Sequence, residues 1–272
     1  MGMAAVAPVV PSAWAQVATS EAASSVSPAA AEVVSTPDHQ SQIAQLQTSY
    51  AKYLSAYRDN ERLFLIAQQQ FFQLGTLASL EQAVQATKGV MLSRMDVLQS
   101  YLSFLELHLI DSKGIEVGLK NANVAELMNL LSQLKIQHAQ VQAADDRLKI
   151  AKAAADFQIL APQLQQQAEL TKSLIMYGRL QAVYDKTLAV KGEIAEQIKV
   201  KETNPLVLAE KQRGIQEVER NLDTVKAQLD KVRSQLSNKD SGSFGFQAAN
   251  SDLDAIYGGL SRSLSYFEEL VR

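Results

Sequence analysis

The chain has 272 residues and a mass of 29.7 kDa, with 47% hydrophobic and 20% charged residues and a formal net charge of −3. That balance suffices to bury a core and is too mildly acidic for a nucleic-acid partner, which demands a basic stripe to displace counterions. Cysteine is absent, which excludes disulfides, thiolate catalysis and cysteine-based zinc sites without fixing the compartment.

Residues 1–37 are built from Ala, Val, Ser, Thr and Pro and hold four of the six prolines, Pro8, Pro11, Pro28 and Pro37. With few large apolar side chains to offset ordering entropy, they predict a disordered, low-complexity extension. Within it a short apolar stretch from Met3 to Val10 runs into Ala13-Trp14-Ala15 before Gln16, which fits the small-x-small rule of signal-peptide cleavage. No Lys or Arg precedes Lys52, so a positive leader is missing. Two readings stay open, a signal-sequence remnant cleaved after Ala15 and a plain tail, and the first is preferred. Nowhere does an apolar run reach about 18 residues, so no transmembrane segment is expected.

From Asp38 onward the spacing is helical. Ile43, Leu46, Tyr50, Tyr53, Tyr57, Phe64, Ala67, Phe71 and Leu74 recur three and four apart, with Asn60 in the one polar slot. Leu54, Leu63, Leu65, Ile66 and Phe72 widen this face, which predicts more than one neighbouring helix. Gly75 supplies a left-handed stop and Thr76 or Ser79 a cap for a second helix, whose stripe is Leu80, Val84, Met91, Met95, Leu98, Leu102, Leu105 and Leu109. The short link makes these two helices an antiparallel hairpin. Loop residues 111–121 follow, then a third helix capped by Asn123, and Asp145 or Asp146 opens a fourth.

Pro162 removes a hydrogen bond and crowds the preceding turn, so it breaks or kinks that helix, and a break is preferred. Beyond it, Leu170, Leu174, Tyr177, Leu180, Tyr184, Leu188, Ile194 and Ile198 form a long stripe. Asn204 and Pro205 are a strong helix start. The next helix bears the clearest pattern in the chain, a heptad seam of Ile215, Val218, Leu222, Val225, Leu229, Val232 and Leu236. Its partner is another chain or, preferably, the preceding stripe. A loop over 239–246 and a closing helix with Leu253, Ile256, Tyr257, Leu260, Leu264, Phe267 and Leu270 complete the sequence, with Gly258 and Gly259 marking close packing or a bend.

These elements predict an all-α fold, an elongated bundle of five to seven helices. Residues 38–160 are expected to form a bundle opening with a hairpin, 163–238 a long antiparallel coiled-coil hairpin, and 247–272 a closing helix packed on the bundle.

Chemistry-bearing motifs are scarce. His39, His108 and His138 each stand alone, and Glu106 and His108, two apart, point to different helix faces, so no metal site is expected. Gly242 and Gly245 fit neither a Walker A loop nor a dinucleotide fingerprint, and no serine lies in a Gly-x-Ser-x-Gly context. The chain therefore reads as a non-enzyme without cofactor or small-molecule ligand. Asn60 sets register, faces a partner, or merely lies at the edge of a wide apolar face. Tyr50, Tyr53 and Tyr57 with Phe64 and Phe71 read as core with hydroxyls at the rim rather than a ligand-binding stripe. Glu210 and Arg213, Glu217 and Arg220, Asp223 and Lys226, and Asp230 and Arg233 place acids three before bases, a solvated helix face.

The run Tyr50-Ala51-Lys52-Tyr53, then Thr76-Leu77, then Arg94-Met95-Asp96-Val97-Leu98 leading to Tyr101-Leu102, resembles uncharacterised exported helical proteins of small-genome, symbiont-like bacteria. The likeness spans residues 41–110, and the later helices follow it in general pattern. It implies an exported helical protein and carries over no site. The resulting expectation is a non-enzymatic exported structural or interaction protein at the cell envelope, acting on a protein partner or itself. A cytoplasmic scaffold is one alternative. The other is a pore-forming or membrane-perturbing protein, which needs an apolar hairpin tip, whereas the turns around Gly75 and Lys201 to Asn204 read as short or polar.

Overall fold

A computed structural model describes residues 37–237 and 243–271. The predicted extension, with the cleavage-like Ala13 to Gln16 segment, lies outside the described residues apart from Pro37, as do residue 238 and residues 239–242 of the predicted loop. The described chain is all-α and forms six helices: α1 Pro37–Leu74, α2 Leu77–Asp111, α3 Val117–Ala143, α4 Arg147–Lys201, α5 Pro205–Ser237 and α6 Ser243–Val271.

The turn chemistry follows the sequence closely. Gly75 adopts φ +59° and its N–H donates to Phe71 O at 2.9 Å, closing α1. Thr76 and Ser79 then form a reciprocal capping box at the start of α2, Ser79 N–H donating to Thr76 Oγ1 at 3.2 Å and Thr76 N–H to Ser79 Oγ at 3.1 Å. Asp146 caps α4 through Lys149 N–H at 2.8 Å, and Asn204 caps α5 through Leu206 N–H at 3.0 Å.

Helix α2 is packed on two sides. One side meets α1 along its length and the other meets α3 and the first half of α4. The second half of α4 packs with α5 and α6. Two three-helix groups, α2–α3–α4 and α4–α5–α6, therefore share the 55-residue α4. Where they join, α4 is buried nearly all round, at Thr171, Ser173, Leu174, Ile175, Tyr177, Gly178 and Leu180. There the α2–α3 loop crosses α4 at backbone contact distance: a Cβ on Gly178 would stand 2.6 Å from Lys113 O and from Ile115 Cγ1.

Four expectations need correction. Pro162 does not break α4; it faces solvent, while Phe157, Leu160, Leu164 and Ala168 keep the buried face continuous past it. The carbonyl that loses its donor, that of exposed Gln158, lies where water can reach it, which is why the turn survives. The boundary drawn between 160 and 163 accordingly falls inside one helix. Asn123 does not cap α3, which starts at Val117; it is buried within the helix, donating back to Leu119 O at 2.9 Å and accepting from Gln167 Nε2 of α4 at 3.1 Å. The closing helix α6 begins at Ser243 and packs on α5 and α4 rather than on the N-terminal helices, turning the expected two-helix seam into a three-helix core. Finally, α1 makes its extensive contact with α2 alone, so among the described residues its widened apolar face has no second helix packed along it.

Candidate functional site

The residues singled out by sequence are largely accounted for by packing. In α5, Val218, Leu222, Val225, Leu229, Val232 and Leu236 are buried, and Ile215, nearer the turn, is half-buried. Each such side chain is worth roughly 1.5 to 3 kcal/mol of transfer free energy. Helix α6 reaches this seam through small residues: a Cβ on Gly259 would sit 2.5 Å from Val225 Cγ2, while Gly258 faces open space. Asn221 Nδ2 donates to Gly259 O and to Ser263 Oγ, both at 2.7 Å. Sequence reasoning missed this pair; it placed Leu264 in the stripe, but Leu264 is exposed and Ser263 buried, because helical period and close approach favour the smaller side chain. In α4 likewise, Thr187 is buried and Leu188 exposed. Of the four predicted charge pairs, Glu217 and Arg220 approach to 3.5 Å, and Lys226 turns to Asp230 at 3.2 Å instead of Asp223. Such exposed pairs contribute little.

Asn60 lies in the α1–α2 contact opposite Gly89, its Oδ1 3.4 Å from where a Cβ there would be. Tyr50 packs on Tyr101 with ring centroids 5.9 Å apart, and Phe64 is buried, so the aromatic stripe is core between α1 and α2, with Tyr53 at its edge. Tyr57 donates to Glu61 Oε1 at 3.0 Å, and burial with the nearby carboxylate pushes its pKa up to about 12. Arg94 of α2, whose charge lies near Tyr57 and Glu61, sits 5.1 Å over the Phe157 ring and ties the hairpin to α4.

Each histidine has its own contact. His39 Nδ1 lies 2.7 Å from Asp111 Oδ1, His138 Nε2 3.2 Å from Asp96 Oδ1, and His108 stacks edge-on against Phe104 at 4.3 Å. Among the described residues, no group of three or more His, Asp or Glu is placed to hold a metal ion, and no helix is long and apolar enough to cross a membrane.

Packing leaves large apolar side chains exposed in several places, among them Leu148, Ile159 and Val117, and the end of the α1–α2 hairpin gathers six. Leu63 is 57% exposed, Leu65 54%, Ile66 47%, Phe72 63%, Leu74 64% and Leu77 71%. No charged residue occurs between Arg62 and Glu81. The cause is a difference in length: Lys88 Nζ donates to Gln142 O at 2.7 Å and Ala144 O at 2.9 Å, marking where α3 ends, and α2 reaches back about three turns further to Thr76. The Gly75 turn is short, as expected, but it is flanked by Phe72, Leu74 and Leu77, so the hairpin end is apolar. By contrast, Val200 and Leu206 at the α4–α5 turn are exposed among charged neighbours Lys199 and Glu202. No protein-family model, curated protein or solved structure matches this chain.

Proposed function

We propose that this chain is a non-enzymatic, exported interaction protein that works by contact through the apolar end of its α1–α2 hairpin. The observation that carries the reading is the cluster of six exposed large apolar side chains, Leu63, Leu65, Ile66, Phe72, Leu74 and Leu77, inside an uncharged stretch. Large apolar side chains left exposed in this number at one end of a hairpin point to a role in binding. Export draws its support from the cleavage-like Ala13-Trp14-Ala15 segment and from the resemblance over residues 41–110; a cytoplasmic scaffold replaces it if mature protein from cells begins at Met1.

A photo-crosslinking side chain in place of Phe72, tested on intact cells, examines the contact reading, with exposed Gln212 as the comparison site. Adducts are expected at position 72 and not at 212. Adducts at 212 alone, or none at either, defeat it. A second reading, a membrane-perturbing hairpin, is favoured by the same apolar end, which meets the requirement that such a protein has. Dye release from liposomes, lost on Phe72→Glu, is its expected signature.

A further inference from the structure

We infer that the surface at the hairpin end is a self-association site: two copies of this chain pack their hairpin ends side by side, each filling the other's open groove. The groove lies between Leu65 and Phe72 of α1 and Leu77, Leu80 and Val84 of α2. This inference rests on the contact reading above and names its partner.

The first support is continuity with an interface that already exists within the chain. The α2 positions 77, 80, 84, 88, 91, 95, 98, 102, 105 and 109 follow one another by threes and fours, so they form one stripe. Met95, Leu98, Leu102, Leu105 and Leu109 are buried on the side that meets α3 and α4; Met91, Val84 and Leu80 are half-buried; Leu77 is exposed. The stripe thus outruns the helices that cover it. On α1, Leu54, Tyr57, Glu61, Leu65, Gln68 and Phe72 are spaced in the same way and line the side where Tyr57 and Glu61 neighbour Arg94. Leu65 and Phe72 therefore continue, toward the turn, the groove that Phe157 of α4 closes at Arg94.

The second support is area. At exposures of 54%, 63% and 71%, Leu65, Phe72 and Leu77 with the uncovered parts of Leu80 and Val84 offer on the order of 400 Å². A standard interface takes about 800 Å² from each partner, a little over half of it apolar. The third is charge. In a two-fold contact the same patch meets itself, and a patch without charges does so without repulsion. Gln68 and Gln69 beside the groove favour a protein over lipid, because amides find hydrogen-bond partners across a protein interface and none in hydrocarbon.

The test is the mass of the full chain by light scattering across a wide concentration range. A concentration-dependent dimer is expected, and Phe72→Glu or Leu77→Glu should weaken it by roughly thirtyfold, the size of a hot-spot loss. Both side chains are exposed, so circular dichroism should match the unaltered chain. Gln212→Glu, exposed on α5, should leave the dimer intact. A monomer at every concentration, or a dimer indifferent to Phe72→Glu and Leu77→Glu, overturns self-association. If that monomer instead co-sediments with phosphatidylcholine vesicles and loses this with Leu63→Glu as well as Phe72→Glu, the partner is lipid and the contact reading survives. With neither vesicle binding nor adducts at position 72, both fall.

Discussion

Single residues carry two of the sharper consequences. Tyr57 holds its proton up to about pH 12, against an ordinary value of 10.0, because burial and the Glu61 carboxylate both disfavour the phenolate. Below pH 10 the phenol is protonated in folded and unfolded chains alike, and its contribution is complete. Between pH 10 and about 12 the unfolded chain releases the proton while the folded one keeps it, so stability declines as pH rises. Tyr57→Phe should flatten that decline in melting temperature relative to the unaltered chain, and parallel curves would show that Tyr57 ionises alike in both states. The glycines of α4 give a paired comparison. Gly178→Ala drives a methyl into Lys113 O and Ile115 and should cost roughly 1 to 3 kcal/mol in urea denaturation. Gly192, with nothing within 4 Å, should gain about 1 kcal/mol as Ala. Nothing in the sequence separates these two positions, because the crossing of the α2–α3 loop over Gly178 is a tertiary event. Asn60 was legible as a polar slot in a seam; that Gly89 stands opposite it was not.

At the scale of elements, periodicity and capping were readable, and the places where reading failed share a cause. The seam of α5, the stripes of α1 and α2, the capping at Thr76, Asp146 and Asn204 and the stop at Gly75 all depend on local spacing or local hydrogen bonds. Pro162 and Asn123 depend on which side of a helix finds a neighbour, and local rules favour an end at one and a cap at the other. Packing of Phe157, Leu160 and Leu164 carries α4 past the proline at a standing loss. Pro162→Ala should therefore raise stability by up to about 3 kcal/mol, the difference between these residues in a helix interior. An unchanged or lowered urea midpoint would show that proline fits α4 better than helix propensity allows.

For the whole molecule, the decisive quantity is where each helix ends relative to its neighbours. The apolar character of Leu63, Leu65, Ile66 and Phe72 was plain from sequence and pointed to a second neighbour for α1. Whether a neighbour within the chain reaches them depends on where the other helices lie and end, as α3 does beside Lys88, which no local pattern encodes. The character of the hairpin end comes from the flanking turns of helix rather than from Gly75 and Thr76 at the turn itself. The shared helix α4 has a further consequence, for the order in which the chain is made. Its first half finds α2 and α3 already synthesised, whereas the seam of α5 gains its second cover only when α6 follows. At about 5 to 20 residues per second, roughly 3 to 13 s separate the emergence of Pro205 from that of Val271. Until α6 emerges, the valines and leucines of α5 have α4 on one side and water on the other, which offers a holding chaperone an apolar stretch to bind.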